Sequence, residues 1–163
     1  MVRKVFFSFQ YERDIWRVYQ VRNHWVTKLN RPDAGYIDKA EFEKLKRRGD
    51  TAIRSWIDSQ LEGTSVTVVL IGAETSGRKW VDYEIEKSYM KNNGQLGIYI
   101  HNLKDSNGYS DYKGANPFDR YQVQVDGRDT LLSEIYSTYD WVLDNGYANF
   151  AKWVEKAAAD AGR

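Results

Sequence analysis

Apolar residues follow two rhythms along the chain. Residues 4–9 are a short run of β-formers and predict a first strand, ending in the polar-aromatic stretch 8–11. From Ile15 the spacing lengthens to three or four. Ile15, Val18, Val21, Arg22, Trp25, Val26 and Leu29 predict an amphipathic helix, with Asp14 placed to cap it. The cluster Asn30-Arg31-Pro32-Asp33-Ala34-Gly35 breaks that helix, Asp33 and Gly35 reading as turn residues. Residues 38–48 predict a charged helix whose few apolar positions are Phe42 and Leu45. Another helix starts at Asp50 or Thr51, carries Ile53, Trp56, Ile57 and Leu61 on one face, and stops at Gly63. This middle region offers no convincing strand.

Residues 65–72 give the strongest strand signal. An uninterrupted β-branched run predicts burial on both faces, as in a parallel sheet. After a loop at 73–77, a helix is expected from about residue 79 to 92, with Val81, Ile85, Ser88 and Tyr89 inward. Asn93-Gly94 stops it, and residues 96–101 predict a further strand. Residues 103–130 form a long polar excursion with a short strand at 121–125. Residues 131–143 read as helical, and a last helix carries Tyr147, Phe150, Val154, Ala157 and Ala161 on one stripe. Buried-type strands separated by helices predict one domain over residues 1–163. It is a three-layer α/β fold with a mainly parallel central sheet, helices on both faces and C-terminal helices over 131–163.

Composition narrows the function. The 163 residues carry 24 Lys+Arg and 23 Asp+Glu, a formal charge of +1, which argues against a strongly basic nucleic-acid binder or a polybasic membrane anchor. There is no cysteine, so disulfides, thiolate nucleophiles and Cys-ligated metals are excluded, and two histidines are too few for a His-rich metal centre. No metal ligands and no cofactor are expected. The longest apolar stretch, 66–71, is too short for a bilayer, and the N-terminus turns polar too early for a signal peptide, so a cytoplasmic protein is expected. Aromatics make up 15% of the chain, enough to supply a stacking platform as well as a core.

In an open parallel sheet, ligands bind beyond the carboxyl ends of the strands. That edge receives the loop 8–11 after the first strand and the loop 72–78 after the 65–72 strand. The next helix opens Trp80-Val81-Asp82-Tyr83-Glu84, placing Trp80 and Glu84 on one face near the helix N-terminus, where the partial positive charge favours an ionised carboxylate. A fixed carboxylate beside an indole can stabilise a developing cation. Spacing alone favours the plainer reading, a core Trp80 and a solvated Glu84.

The residues resolve the choice by resemblance. Val5-Phe6-Phe7-Ser8-Phe9 resembles the first strand of a TIR domain, a flavodoxin-like fold. Residues 65–72 followed by Arg78-Lys79-Trp80-Val81-Asp82-Tyr83-Glu84 resemble the strand, loop and Trp-x-x-x-Glu helix of that family. Residues 21–30, Thr64-Ser65-Val66-Thr67, Asn116-Pro117-Phe118-Asp119 and Tyr139-Asp140-Trp141-Val142 resemble the TIR-like signal-producing subfamily of bacterial Thoeris anti-phage systems. The resemblance implies an enzyme with NAD+ as substrate. It would cleave the nicotinamide–ribose bond with Glu84 as catalytic residue and form an ADP-ribose product, cyclised or conjugated. That diffusible nucleotide signal would activate a separate anti-phage effector.

The chemistry fits independently, because nicotinamide is a cationic substituent that departs neutral and needs no general acid. One carboxylate can stabilise an oxocarbenium-like transition state by electrostatics. Phe9, Trp80 or Tyr83 could stack on a planar ring, and Ser8 could hold ribose or phosphate. A phage-derived trigger and self-association are further expectations. The competing reading is a non-enzymatic TIR-like interaction module, since fold alone does not settle function. His24, beside Trp25 in the first helix, reads as structural, and His101 ends a strand at the ligand-binding edge. The basic run Lys44-Leu45-Lys46-Arg47-Arg48 lies among acidic residues and reads as a solvated helix face. No G-x-S-x-G, P-loop or G-x-G-x-x-G pattern is present.

Overall fold

The computed structural model describes residues 3–37 and 39–163. Strand β1 (Val5–Ser8) leads into helix α1 (Tyr11–Asn23), which continues as a π-helical turn over His24–Lys28. A two-residue strand β2 (Asp33–Ala34) follows, then helices α2 (Lys39–Arg48) and α3 (Asp50–Leu61). Strand β3 (Val66–Ile71), helix α4 (Lys79–Met90) and strand β4 (Gly94–Tyr99) come next. A 3-10 turn at Pro117–Arg120 precedes a hairpin of β5 (Gln122–Val125) and β6 (Arg128–Leu131). The chain closes with a one-turn helix α5 (Leu132–Ile135), strand β7 (Thr138–Asp140) and helix α6 (Gly146–Asp160).

The central sheet has the order β2-β1-β3-β4-β7, and every neighbouring pair is parallel. Side chains alternate across it. Val5, Phe7, Val66, Val68, Leu70, Leu96 and Ile98 pack against Val18, Val21 and Trp25 of the first helical segment and against Phe150 and Val154 of α6. On the other face Phe6 meets Ile57 and Leu61 of α3, while Val69 and Ile71 meet Val81 and Ile85 of α4. This is the expected three-layer fold. β3 is buried along its whole length, as its β-branched run predicts. No helix among the described residues is long and apolar enough to cross a membrane.

Tyr89, expected inward on α4, is exposed at its outer edge, and four expectations about the backbone elements and caps change. Asp14 does not cap α1; the side chain of Gln10 does, accepting from the Arg13 amide, and Asp14 is buried one turn later. The breaker cluster contains a strand after all, because Asp33 and Ala34 pair with Val5 and Phe6, a contact too short to leave a periodic signature. Gly94 begins β4 rather than ending the preceding turn. Residues 131–143 are not a helix: one helical turn gives way to β7, whose Thr138, Tyr139 and Asp140 pair with Gly97, Ile98 and Tyr99. Apolar spacing there imitates a helix because the segment crosses from the hairpin to the sheet and buries side chains on both sides. The predicted helix start at Asp38 lies outside the described residues.

The excursion is clasped to α1. Arg13 makes a two-pronged ion pair with Asp111 at 2.8 and 2.9 Å. The buried Arg17 donates to the carbonyls of Leu103 and Tyr109 at 2.8 and 2.9 Å. Five guanidinium donors in a rigid fork suit this job of tying several loop acceptors to one helix.

Candidate active site

The order of the sheet reverses between β1 and β3, and such switch points leave a crevice beyond the carboxyl ends of the strands. A cleft of about 330 Å³ lies there. Phe9, Gln10 and Tyr11 enter it from the β1–α1 junction, Phe42 and Leu45 from α2, and Trp56 from α3. Arg78, Lys79, Trp80 and Glu84 come from the start of α4. Gly35 forms part of the wall. Its φ of +83° suits glycine, and a Cβ there would lie 2.4 Å from the Phe7 carbonyl oxygen.

Glu84 sits at the bottom of the cleft with 6% of its surface exposed. Its Oε1 accepts a 2.9 Å hydrogen bond from Ser8 Oγ. Even-numbered β1 side chains face α3 and α4, so Ser8 is aimed at α4 by the alternation of the strand itself. Among the described residues no Lys, Arg or His pairs with Glu84. Burial therefore pushes its pKa from 4.5 up to about 8, and the Ser8 hydroxyl offsets only part of that rise. The helix N-terminus does not rescue the charge, because Glu84 lies in the second turn of α4, where the dipole has faded. The ionised state expected from helix position alone is thus overruled by desolvation.

Phe9, Trp80 and Glu84 meet in the cleft, and Ser8 reaches it through its bond to Glu84. Tyr83 does not line it. Its ring stands edge-on to Trp80 at 5.8 Å, and its hydroxyl donates to Asp58 of α3 at 2.9 Å, so it fastens α4 to α3. Tyr11 falls in the loop 8–11 expected at this edge, while Phe42, Leu45 and Trp56 escaped the sequence reading. The pair Phe42 and Leu45, three apart in an otherwise charged helix, was the available signal that α2 turns one narrow face inward. The cations at the rim are engaged: Lys46 with Glu12, Lys79 with Asp50 and Arg78 with Glu74. His24 is structural, packed edge-on between Trp141 and Tyr147 with its pKa lowered by burial. His101 lies outside the cleft, its Nε2 3.9 Å from Asp140. No group of three His, Asp or Glu residues among those described could hold a metal ion.

A family model described as the Thoeris protein ThsB, TIR-like domain, matches residues 6–105, more than half of the chain and the whole of the cleft. The chain belongs to the Thoeris ThsB TIR-like family. ThsB1 of Bacillus cereus (strain MSX-D12), named as a candidate cyclic ADP-D-ribose synthase, is 40% identical to it over 191 residues. The match covers 94% of this chain and 100% of that relative. The TIR-like span contains β1 from its second residue through β4, with Ser8 and Glu84, while β7 and α6, which complete the sheet and one of its covers, lie beyond it.

Proposed function

We propose that this chain is an NAD+-consuming enzyme that cleaves the nicotinamide–ribose bond and makes a cyclic ADP-ribose signal for a separate anti-phage effector. The observation that carries the reading is Glu84, a buried carboxyl with no cationic partner among the described residues, facing an aromatic cleft at the switch point of the sheet. A residue kept only for packing would be better apolar, since an uncompensated buried acid costs stability. The 40% identity to a relative named for cyclic ADP-D-ribose synthesis supports the same reaction.

The missing cation arrives with the substrate. The nicotinamide ring of NAD+ is positively charged, and in the cleft it stabilises the ionised form of Glu84 and lowers its pKa. The C1′–nitrogen bond then breaks and its electron pair leaves with nicotinamide, which becomes neutral. Positive charge moves onto the ribose, where the carboxylate stabilises it. Ser8 Oγ donates to that carboxylate and holds its orientation. Phe9 and Trp80 are placed to stack on planar rings. Arg78 and Lys79, at the N-terminus of α4, would exchange their exposed partners Glu74 and Asp50 for the pyrophosphate.

The test compares wild type with Glu84→Gln in phage-infected bacteria, with small-molecule extracts resolved by mass spectrometry. Free nicotinamide and cyclic ADP-ribose should appear in the wild type only. Identical extracts from two folded proteins in a verified infection would instead favour a non-enzymatic interaction module. The infected cell is chosen because a phage-derived trigger is part of the proposal.

A further inference from the structure

The sheet leaves a second cavity at its other end. β7 starts opposite Gly97 while β4 starts at Gly94, so the first three residues of β4 have a neighbouring strand only on the β3 side. In place of a strand, the segment just before β7 and the ends of α4 and α6 close the other side, without filling it. A cavity of about 150 Å³ remains at the amino end of β4, at the opposite end of the sheet from the Glu84 cleft. Tyr136, Tyr139 and Trp153 line it. Tyr139 and Trp153 stack on each other, with centroids 4.2 Å apart and planes 7° from parallel, and make one stiff wall. An apolar cavity of about this size holds a benzene ring.

The polar lining decides what such a ring must carry. Gln95 is buried, with 2% of its surface exposed. Its Nε2 donates to the Ile85 carbonyl of α4 at 3.1 Å, which fixes the orientation of the amide. Oε1 is left buried with no partner. An orphaned buried acceptor is costly and calls for a reason. Asn93, beside it in the lining, is the contrast. Its Nδ2 donates to Thr64 and its Oδ1 accepts from Arg163, so each end is already met. The charged lining residues, Lys156 and Asp160, pair with each other at 2.6 Å. A charged ligand would find no counter-ion, and a dinucleotide is far too large. What fits is flat, neutral, one ring wide and able to donate an N–H.

We infer that this cavity is a second binding site, for a neutral six-membered heteroaromatic ring whose amide edge donates to Gln95 Oε1. Oε1 is covered, so binding includes a small side-chain shift to reach it. Nicotinamide and pyrimidine bases such as uracil share this chemistry. The site stands independently of NAD+ cleavage. It meets the helix that carries Glu84 from behind, because the Gln95 hydrogen bond ends on Ile85, the next residue.

The test titrates the full isotope-labelled chain with nicotinamide and with uracil and follows the indole N–H signals by NMR. Trp153 reports the cavity, while Trp56 and Trp80 report the cleft. Trp153→Phe, Trp56→Phe and Trp80→Phe assign the three signals. At least one of the two ligands should shift the Trp153 signal saturably, with Kd on the order of 0.1–1 mM. Methyl nicotinate and uracil methylated at both nitrogens keep the rings and carbonyls but have no N–H. Each should bind about tenfold more weakly than its parent. Gln95→Met keeps the length of the side chain, removes the acceptor and should weaken the parent ligand by about the same factor. Should that variant fold poorly, the methylated analogues on wild type decide alone. A Trp153 shift from nicotinamide only would name the leaving group of NAD+ as the ligand, and one from uracil only would name a free pyrimidine; either upholds the site. Shifts confined to Trp56 and Trp80 would put the ring in the cleft and overturn the site. So would the absence of any shift, which would make this a cavity for water only. Equal binding of the methylated analogues would also overturn it, because Gln95 would then play no part in recognition.

Discussion

Among the described residues two carboxyl groups are buried, one on the helix after β1 and one on the helix after β3. Asp14 has 1% of its surface exposed and Glu84 has 6%, and burial raises the pKa of both, to about 6 and about 8. Their surroundings differ. Asp14 accepts from Thr75 Oγ1 and feels the positive charges of Arg17 and Arg13, and Gly72 packs directly on its carboxylate. Its charge is partly answered from within the protein and its surface is sealed. Glu84 has Ser8 as its hydrogen-bond donor, no answering cation among the described residues, and a cleft in front of it. A buried acid already answered by its own chain is a structural joint. One left unanswered at an opening is poised for a cation from outside.

The contrast breaks most visibly in turnover. Glu84→Gln should lower NAD+ cleavage by a factor of about a thousand or more. Asp14→Asn, measured per folded molecule, should change it only a few-fold; comparable losses would erase the distinction. The second effect is on stability. Between pH 4.5 and 8 the unfolded chain gives up the Glu84 proton while the folded protein keeps it, so this group lowers stability as pH rises through that window. Glu84→Gln removes the effect. It should match wild type near pH 5 and exceed it by a few kcal/mol at pH 9, read from denaturant titrations at both values.

Gly72→Ala should act only on the sealed site. Its Cβ would fall 2.2 Å from Asp14 Oδ2, and overpacking of this kind costs about 1–3 kcal/mol. Thermal melts would show the loss, with the pH dependence assigned to Glu84 unaltered. The smallest effect is expected for Ser8→Ala. On the proposed reaction the rise of kcat/KM with pH would report the free enzyme's Glu84, and losing the Ser8 donor should move that rise upward by about half to one pH unit. A downward move would mean that the hydroxyl stabilises the protonated acid instead.

Much of this contrast could be read in the residues, and the rest could not for definable reasons. β3 was legible because six consecutive residues are buried and all are apolar or β-branched. Trp80 and Glu84 were legible as helix neighbours beside it, and the three-layer parallel architecture followed from the same pattern. The ionisation of Glu84 was not, because it depends on what α2 and α3 place over the cleft rather than on position in α4. β2 and β7 were missed because two- and three-residue strands are too short to establish a period, and their partners lie far away in sequence. Asp14 looked like a cap because local propensity favours it there. Its burial depends on Gly72 and Thr75, about sixty residues onward.

The brevity of β2 and β7 has a consequence for assembly. They are the two margins of the central sheet, and together they offer five residues of open backbone. Strand-by-strand growth requires a longer row of free amide and carbonyl groups than either margin presents. Copies of this molecule that associate would therefore do so through helices and loops, and the sheet of each would remain its own.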